Sequence, residues 1–240
     1  MNGIIIDEIL IYNGGKMKFS IIIPVLNEKM NIARITEQLL KLEGDYEVII
    51  ADGGSTDGGL EAASEFFTVL SCDRGRALQM NNAAKIAKGE VLLFLHCDST
   101  IETKALFTIE EFLAQGYDAG CFTMNFDGKG FWLSLFAYLS NLRAKLLNIM
   151  FGDQGIFIKK VAFENVGGFP DIPIMEDLQF SLEARKHIKI GQCDGKIITS
   201  ARRFNKNGVF KTIMFMHWLK ILYFTGADIN KINEMYKNVR

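Results

Sequence analysis

Three short acidic stretches carry residue types that could bind a metal and a phosphate. They read DGGSTD at 52–57, HCD at 96–98 and ED at 176–177. The first two follow apolar runs at 46–51 and 91–95, which favour buried strands. In an open α/β sheet, ligands bind at the carboxyl ends of such strands. Because carboxylates that share one sheet edge repel one another, the pattern indicates a divalent cation that carries a phosphate.

Alternating strands and helices position the first two stretches. This alternation is typical of an α/β fold with a mostly parallel sheet flanked by helices. The predicted strands are 19–25, 46–51, 68–71 and 91–95, and the predicted helices are 29–42, 57–67, 77–87 and 103–114. After residue 115 the pattern predicts strands at 117–126, 154–158, 188–192 and 196–200, with helices at 131–150 and 178–186. The 117–126 strand alternates like an antiparallel one, and one domain with two halves is expected.

Composition excludes several classes of protein. The chain has 240 residues, with 27 Lys and Arg against 28 Asp and Glu, so no basic excess favours a nucleic-acid partner. Its four cysteines have no CxxC spacing and it has three histidines, which argues against a zinc site. Reduced thiols in a cytoplasmic protein are the expected state.

Both ends of the chain lie outside the alternation of strands and helices. Residues 1–16 are expected to be a weakly packed extension, with Met17 as the biological start. The segment 209–224 is apolar nearly all round and has sixteen residues, fewer than the roughly twenty that span a bilayer. It could pack on the core or form an interface between copies of the chain. It could also rest on a membrane surface, or, least expected, span it.

Several motifs occur together in an order that matches a known family. They are SIIIPVLNE at 20–28, the DGGSTD stretch, QMNNAAKIAKG at 79–89, LFLHCD at 93–98 and GGF at 167–169 followed by the ED pair. This series resembles family 2 glycosyltransferases of the GT-A fold, over about residues 18–203. The stretches RGRALQMN at 74–81 and GDQG at 152–155 resemble a small bacterial subgroup of that family, with HxD in place of DxD.

The resemblance implies a domain plan. Residues 17–205 would form the GT-A glycosyltransferase domain, with a nucleotide-binding half at 17–115 and an acceptor half at 116–205. Residues 206–240 would add apolar C-terminal helices.

The resemblance also implies contacts to the donor nucleoside. Asp52, followed by Gly53, would accept a hydrogen bond from the base, and an imide N–H as in uracil suits an ionised carboxylate. Backbone near Pro24 and Leu26, with the Glu28 carboxylate, would meet the nucleoside as well. The alternatives are an ordinary turn at Asp52 and a first-turn helix acid at Glu28.

Asp98 stands where the family carries the second acid of its metal motif. The resemblance implies that Asp98 binds a divalent metal, Mn²⁺ or Mg²⁺, which bridges the diphosphate. His96 replaces the first acid, and an imidazole ligand would favour Mn²⁺. His96 could instead only donate a hydrogen bond to a ribose hydroxyl, and Asp98 could cap the following helix.

Basic and amide side chains are candidates for the diphosphate and the sugar. Arg74, Arg76 and Gln79 precede and open a helix, where guanidinium groups and the helix N-terminus attract phosphate. Asn81 matches an asparagine of the family. The alternative is a solvated basic loop.

Three further residues are assigned by the resemblance alone. Asp153 and Gln154 would contact the donor sugar or the acceptor. Arg203 could reach the diphosphate, although the Gln and Trp that usually accompany it in the family are missing here.

The ED pair is the candidate for catalysis. The resemblance implies that Asp177 removes the proton from the acceptor hydroxyl as the bond to the anomeric carbon forms, with Glu176 in support. The alternative is that both acids only begin the next helix. Asp57 could likewise contact a ligand or cap the helix that follows it.

Together these assignments predict a metal-dependent inverting glycosyltransferase that uses a nucleotide-diphosphate sugar, with UDP-sugar favoured. The acceptor is not identified, and the apolar segments fit a lipid-linked or apolar one. A nucleotidyltransferase is one rival, although the loop after the first strand has neither Gly nor Arg. A catalytically silent nucleotide-sugar-binding protein is the other. The expected location is the cytoplasm, at the inner face of the membrane if 209–224 contacts lipid.

Overall fold

The computed structural model describes residues 18–237, and the expectations for residues 1–16 and Met17 lie outside this range. Strands follow at β1 Lys18–Val25, β2 Asp45–Asp52, β3 Thr68–Ser71, β4 Val91–Phe94, β5 Thr100–Ile101, β6 Ala119–Phe126, β7 Ile156–Lys159 and β8 Ile190–Thr199. Helices follow at α1 Lys29–Leu39, α2 Leu60–Ser64, α3 Arg76–Ile86, α4 Ala105–Ala114, α5 Phe131–Leu147, α6 Lys160–Val166, α7 Glu176–Ala184, α8 Arg202–Asn207, α9 Val209–Phe224 and α10 Ile229–Lys237. A short 3-10 turn covers Gly152–Gln154.

One eight-stranded sheet runs through the described residues, in the order β3-β2-β1-β4-β7-β6-β8-β5. The β1–β2, β1–β4, β2–β3 and β6–β8 pairs are parallel. The pairs β4–β7, β6–β7 and β5–β8 are antiparallel. The predicted α/β class is therefore confirmed. The division into halves at residue 115 stays a prediction, because strands from both sides share this one sheet.

Helices cover both faces of the sheet because its central strands are apolar on both sides. Ile21 and Ile23 of β1 point to a core that includes Ile35 of α1 and Ile109 of α4. Ile22, between them, points to a second core that is completed by α3, α6 and α7. The sheet's position between two helical layers fixes where the strand ends, and hence the candidate site, emerge.

Three predicted elements differ most from the structure, and β5 and α6 have no predicted counterpart. The predicted helix at 57–67 shrinks to Leu60–Ser64, since the residues before it form a turn. The long helix α5 ends at Leu147 because Asn148 adopts the left-handed conformation (φ 53°). The two predicted strands near 188–200 are one strand, β8, which pairs with β6 across a register shift at Cys121 and Thr123. A β-bulge of this kind locally breaks the alternation that the sequence pattern depends on.

The C-terminal helices pack against the part of the fold that contains the third acidic stretch. Leu219 of α9 and Ile232 of α10 are buried together with Ile174, Met175 and Leu178 around the start of α7. The opposite side of α9 is exposed, so this helix is not buried all round. Among the described residues, every helix is too short or too polar to cross a bilayer.

Candidate active site

The ends of β1 and β2 are fastened to each other by side chain to backbone hydrogen bonds. Asn27, which has a left-handed backbone (φ 54°), accepts a hydrogen bond from the Thr56 N–H at 2.8 Å. Its own N–H donates to the Ser55 hydroxyl at 2.9 Å. Asp57 accepts from the Lys29 N–H at 2.9 Å, and this bond lowers the pKa of Asp57. Asp57 therefore caps the beginning of α1, the helix before it in the chain, and its other oxygen accepts from the Gly59 N–H at 3.0 Å, just before α2.

Asp52 lies at the end of β2 with its carboxylate turned into its own loop. It accepts hydrogen bonds from the N–H groups of Gly54 (3.2 Å) and Ser55 (3.0 Å). This is the turn geometry that the sequence left open as the alternative. Each carboxylate oxygen has a further lone pair that could accept a hydrogen bond from a nucleobase. The contact with a nucleobase therefore stays a prediction.

Gln79 is a support for the two strand ends. Its buried amide donates hydrogen bonds to the carbonyls of Val25 (2.8 Å) and Ala51 (2.7 Å). A Cβ at Gly53 would lie 3.1 Å from the Gln79 side chain, so the residue after Asp52 has room for little more than glycine. Gln79 thus fixes the spacing of β1 and β2, and its predicted contact to the donor stays a prediction.

The other candidates on the nucleoside side lie near the end of β1. Pro24, Leu26 and Glu28 are all half-buried. Glu28 accepts a hydrogen bond from the Asn31 side chain at 2.6 Å, within the first turn of α1. Arg74 is exposed in the loop before α3.

Two long-range contacts tie α3 to the acceptor half. The Arg76 guanidinium donates to the Glu176 carboxylate at 3.1 Å. Asn81 accepts from the Phe169 N–H at 2.9 Å and donates to the Phe169 carbonyl at 2.7 Å. The Asn81 amide therefore holds the GGF loop as a neighbouring strand would, and its predicted nucleotide contact stays a prediction.

Asp177 is held in place by two backbone N–H groups. One carboxylate oxygen accepts from Gly152 at 2.8 Å and the other from Leu178 at 2.7 Å. A Cβ at Gly152 would come within 2.7 Å of the His96 imidazole and 3.5 Å of the Asp177 carboxylate. Glycine at 152 therefore brings the second and third acidic stretches together. Met175, with a left-handed backbone (φ 66°), turns the chain into α7 just before the ED pair.

These residues surround one small pocket. Its lining comes from β4, α3, the 152–156 segment, the GGF loop and the start of α7, namely Arg76, Met80, Phe94, Leu95, His96, Gly152, Ile156, Phe169, Glu176 and Asp177. The tertiary structure thus brings Arg76 to the second and third acidic stretches, whereas the 52–57 stretch contributes no residue to this pocket. Apolar side chains line the pocket together with Arg76, His96, Glu176 and Asp177.

Asp153 lies near enough to other carboxylates for their charge to affect its pKa. Burial raises the pKa of Asp153, Arg143 and Lys220 oppose that rise, and the carboxylates of Asp177 and Asp98 add to it. Asp98 itself is half-buried after β4, and its backbone carbonyl accepts a hydrogen bond from Arg34 at 2.8 Å. Three separate segments therefore place carboxylates within each other's electrostatic reach.

The acidic side chains of the site supply some of the oxygen ligands that a divalent cation needs. Within residues 18–237, no three His, Cys, Asp or Glu side chains are arranged as a metal-binding group. Mg²⁺ and Mn²⁺ are nevertheless often held by one or two carboxylates, with substrate phosphates and water supplying the other oxygens. Asp98 fits that role, because its carboxylate is a hard oxygen ligand two residues after His96, which lines the pocket. The arrangement fits a cation that arrives with a diphosphate, and not a cation enclosed by protein alone.

Two cations of the site were missed by sequence reasoning. Arg143 of α5 lies 4.0 Å from the centre of the Phe151 ring, and Lys220 of α9 lies 4.7 Å from it. Burial lowers the pKa of Lys220 to about 8, together with Arg143, against the opposing effect of Asp153 and Asp177. The available signal was a cation inside a mostly apolar helix, since such a charge needs a partner where the helix packs.

Arg203 and Gln154 are both engaged by neighbouring side chains. Arg203 donates to the Tyr236 hydroxyl at 2.6 Å, and the same hydroxyl also contacts Arg76. Gln154 is fully buried and accepts a hydrogen bond from Arg143 at 2.5 Å. The structure thus brings Arg203 to Arg76 through Tyr236, and it places the Gln154 side chain inside the protein. Their donor contacts stay predictions.

The comparisons with known proteins agree with this architecture. A sequence profile described as "Glycosyl transferase family 2" matches residues 20–166, more than half of the chain. The chain belongs to glycosyltransferase family 2. The resemblance stated from the motifs is thereby confirmed. The matched range contains β1 to β4, apart from the first two residues of β1.

Individual family members show how far the similarity reaches. The poly(ribitol-phosphate) beta-glucosyltransferase of Bacillus spizizenii is 29% identical over 186 residues, which is 70% of this chain and 29% of that protein. The undecaprenyl-phosphate 4-deoxy-4-formamido-L-arabinose transferase of Aeromonas hydrophila is 29% identical over 112 residues, which is 41% of this chain and 34% of that protein. The chain spans about a third of the length of these curated relatives.

Solved structures support the fold of this family 2 member. The S. aureus protein TarS (residues 1–349) matches with a TM-score of 0.65 at 22% identity, over 93% of this chain and 71% of that one. A mannosyltransferase from Pyrobaculum calidifontis, in complex with GDP-Man and Mn²⁺, matches with a TM-score of 0.63 at 16% identity, over 94% and 70%. At these identities the likeness establishes the GT-A fold.

Proposed function

We propose that this family 2 protein is an inverting glycosyltransferase, which moves a sugar from a nucleotide-diphosphate donor to an acceptor hydroxyl. The observation that carries the proposal is the pocket that Asp177 shares with Arg76 and His96. A carboxylate, a guanidinium and the end of the β4 strand then face one space. These are the groups that an acceptor hydroxyl and a leaving diphosphate would need.

Asp177 acts as the general base in this proposal. Its two oxygens each accept a hydrogen bond from a backbone N–H, of Gly152 and of Leu178, and these two bonds fix the orientation of the carboxylate. A fixed carboxylate at the acceptor hydroxyl takes its proton while the new bond to the anomeric carbon forms on the face opposite the leaving group. The configuration at that carbon is then inverted.

Arg76 and Asp98 serve the leaving diphosphate. Arg76 lines the pocket at the first position of α3, where the helix N-terminus adds a partial positive charge. Asp98 would hold a divalent cation, Mn²⁺ or Mg²⁺, that is bound with the donor. When bound, such a cation neutralises charge on the diphosphate. Glu176 orients Arg76 through their ion pair.

The finer assignments rest on chemistry near the site. A UDP-sugar is proposed because Asp52, at the end of β2, suits the imide N–H of uracil. A lipid-linked acceptor is proposed because the relative from A. hydrophila is named for an undecaprenyl-phosphate substrate, and because exposed apolar helices adjoin the site. The four cysteines are free thiols, in keeping with a cytoplasmic location at the inner face of a membrane.

The test separates donor binding from catalysis. Calorimetric titration with UDP and with GDP, each with Mn²⁺, Mg²⁺ or chelator, should give metal-dependent binding of UDP that Asp98→Ala removes. With a donor sugar, hydrolysis or transfer by Asp177→Asn should fall by about a hundredfold or more while UDP binding is kept. Asp171→Asn, an exposed aspartate outside the pocket, is the matched control and should behave as wild type.

Two results would overturn parts of the proposal. If neither nucleotide binds under any metal condition, the donor site is wrong and a silent binding protein becomes the better interpretation. If Asp177→Asn keeps full turnover, another group is the base.

A further inference from the structure

Helix α9 exposes a continuous apolar side. Leu219 is fully buried against the α7 region, whereas Phe210, Met214, Ile221 and Phe224 are each more than half exposed and Trp218 is half exposed. At about 100° per residue these five side chains fall on the side opposite Leu219. Large apolar residues that recur at helical spacing and still face solvent indicate a surface that something covers.

Helix α5 extends the same surface. Phe131, Tyr138 and Leu146 are each more than 60% exposed, on the side of α5 that faces away from the core. The two helices meet where the ring of Trp132 lies 5.1 Å from that of Phe210, and both rings are about half exposed. We call the exposed sides of α5 and α9 the apolar face. Because its two halves touch at partly exposed rings, it is one patch and not two.

The charges in the segments that build the apolar face all have one sign. Residues 128–152 and 195–227 contain no Asp or Glu, although the chain has 28 of them in 240 residues. The same segments contain nine Lys and Arg, three in the first and six in the second. Lys145, Arg202, Lys206 and Lys211 among them are exposed. The exposed carboxylates of Asp127 and Asp228 lie just outside these segments, so cations outnumber carboxylates around the apolar face. An apolar surface with this excess of cations is complementary to an anionic, apolar partner.

We propose that the apolar face docks the protein on the surface of an anionic lipid bilayer, with α5 and α9 lying in the plane of the interface. Aromatic and aliphatic side chains on one side of a helix, with Lys and Arg beside them, are the pattern of interfacial helices. The sixteen residues of α9 measure about 24 Å, less than the roughly 30 Å hydrocarbon thickness, so the helix rests on the bilayer and does not cross it.

A second copy of the chain fits this face less well. Two apolar faces brought together would also bring two sets of cations together, with no carboxylate in either segment to offset them. Anionic headgroups instead attract each cation, and every Lys or Arg near the surface tightens binding by about fivefold. Docking on a bilayer requires only that the protein bind lipid, so it does not depend on the proposed glycosyl transfer.

Tryptophan fluorescence can report the binding of vesicles to the apolar face. It has two tryptophans, and both Trp132 and Trp218 lie in the apolar face. Titration with vesicles of phosphatidylcholine and 30% phosphatidylglycerol should shift their emission to the blue, and brominated acyl chains should quench it. Vesicles of phosphatidylcholine alone should bind at least about tenfold more weakly, because the headgroup attraction is missing.

Matched variants locate the surface. Met214→Gln with Ile221→Gln should weaken vesicle binding by about tenfold or more, through lost apolar burial. Met30→Gln with Phe66→Gln, which removes two exposed apolar residues elsewhere, should leave binding unchanged. Lys206→Gln and Lys211→Gln should each cost about fivefold and reduce the salt dependence.

Three results would overturn the proposal. These are no blue shift with anionic vesicles, an equal loss of binding in the control pair, and a concentration-dependent dimer that the Met214 and Ile221 changes dissociate without any vesicle binding. Sedimentation velocity of the same proteins distinguishes the last case, in which a second copy covers the face.

Discussion

The Arg76 guanidinium contacts the Glu176 carboxylate at 3.1 Å, although the two residues are 100 positions apart. Glu176 is only 3% exposed, while Arg76 keeps 33% of its side chain open to solvent. The pair therefore joins the helix that follows β3 to the helix that carries the proposed base. It also keeps one cation at the rim of the pocket, where a diphosphate could reach it.

The first prediction concerns pH and Glu176. Burial raises the pKa of Glu176 above 4.5; Arg76 opposes the rise and Asp177 adds to it. Above pH 4.5 the folded protein therefore binds more protons at this site than the unfolded chain, so the contribution of Glu176 to stability falls as pH rises. Relative to wild type, the unfolding free energy of Glu176→Gln should increase between pH 4.5 and 7.5 in urea titrations. Glu164→Gln, at an exposed carboxylate, should show no such trend. A flat difference for Glu176→Gln would contradict the raised pKa.

The second prediction concerns Lys220. Its pKa of about 8 lies below the ordinary 10.5, so between these values the unfolded chain binds more protons than the folded protein. Stability should therefore gain a contribution as pH rises from about 8 towards 10.5. Lys220→Met should remove that gain, which urea unfolding at pH 7.5 and 9.5 would measure. Lys211→Met, an exposed cation on the same helix, is the control and should keep the wild-type slope.

The third prediction concerns the support of the GGF loop by Asn81. Asn81→Ala removes two hydrogen bonds to the backbone of Phe169 and should destabilise the protein by about 1–3 kcal/mol. Asn81→Asp should do no better, because a carboxylate can accept the Phe169 N–H but offers no donor to its carbonyl. The Asn82 side chain contacts an exposed lysine at 3.2 Å and the Cys72 thiol, but no backbone group of the GGF loop, so Asn82→Ala should cost less than Asn81→Ala, about 1 kcal/mol at most. Equal losses at both positions would argue against the support role.

The fourth prediction concerns the Tyr236 hydroxyl. It accepts a hydrogen bond from Arg203 and contacts Arg76, so it lies between two arginines that are candidates for the diphosphate. Tyr236→Phe should remove one hydrogen-bond partner from each guanidinium group, while Arg76 keeps its ion pair with Glu176, and tighten UDP binding by about fivefold, the equivalent of one hydrogen bond. Tyr223→Phe removes a hydroxyl that donates to Gln179 and should leave affinity unchanged. Weaker binding by Tyr236→Phe would mean that the hydroxyl helps to bind the nucleotide.

Much of the fold could be predicted from the sequence because its cause is local. The β-branched run ending at Val25 forms the central strand β1, and the run 91–95 forms its parallel neighbour β4. The acidic stretches follow β2 and β4 as expected, because polar residues begin where a buried strand leaves the core. Strand β8 was harder to predict, since it pairs with β6 across a register shift that breaks the alternation of the sequence pattern.

The direction in which the polar side chains point could not be predicted. Gln79, Asn81 and Gln154 carry residue types suited to ligands, yet their amides bond to backbone or to Arg143. The sequence shows which groups are able to form hydrogen bonds. Which bond is formed depends on the partners that folding brings near, because a buried polar group must be paired wherever a partner lies.

The sequence by itself determined the family, the α/β sheet and the positions of Asp98 and Asp177 at the ends of elements. Those features follow from apolar periodicity and motif order, which are properties of neighbouring residues. Only the tertiary structure decided that Lys220 and Tyr236, from the C-terminal helices, stand beside Asp177 and Arg76. Such placements come from long-range packing of α9 and α10 on α7, and apolar packing has no direction that a residue pattern could encode.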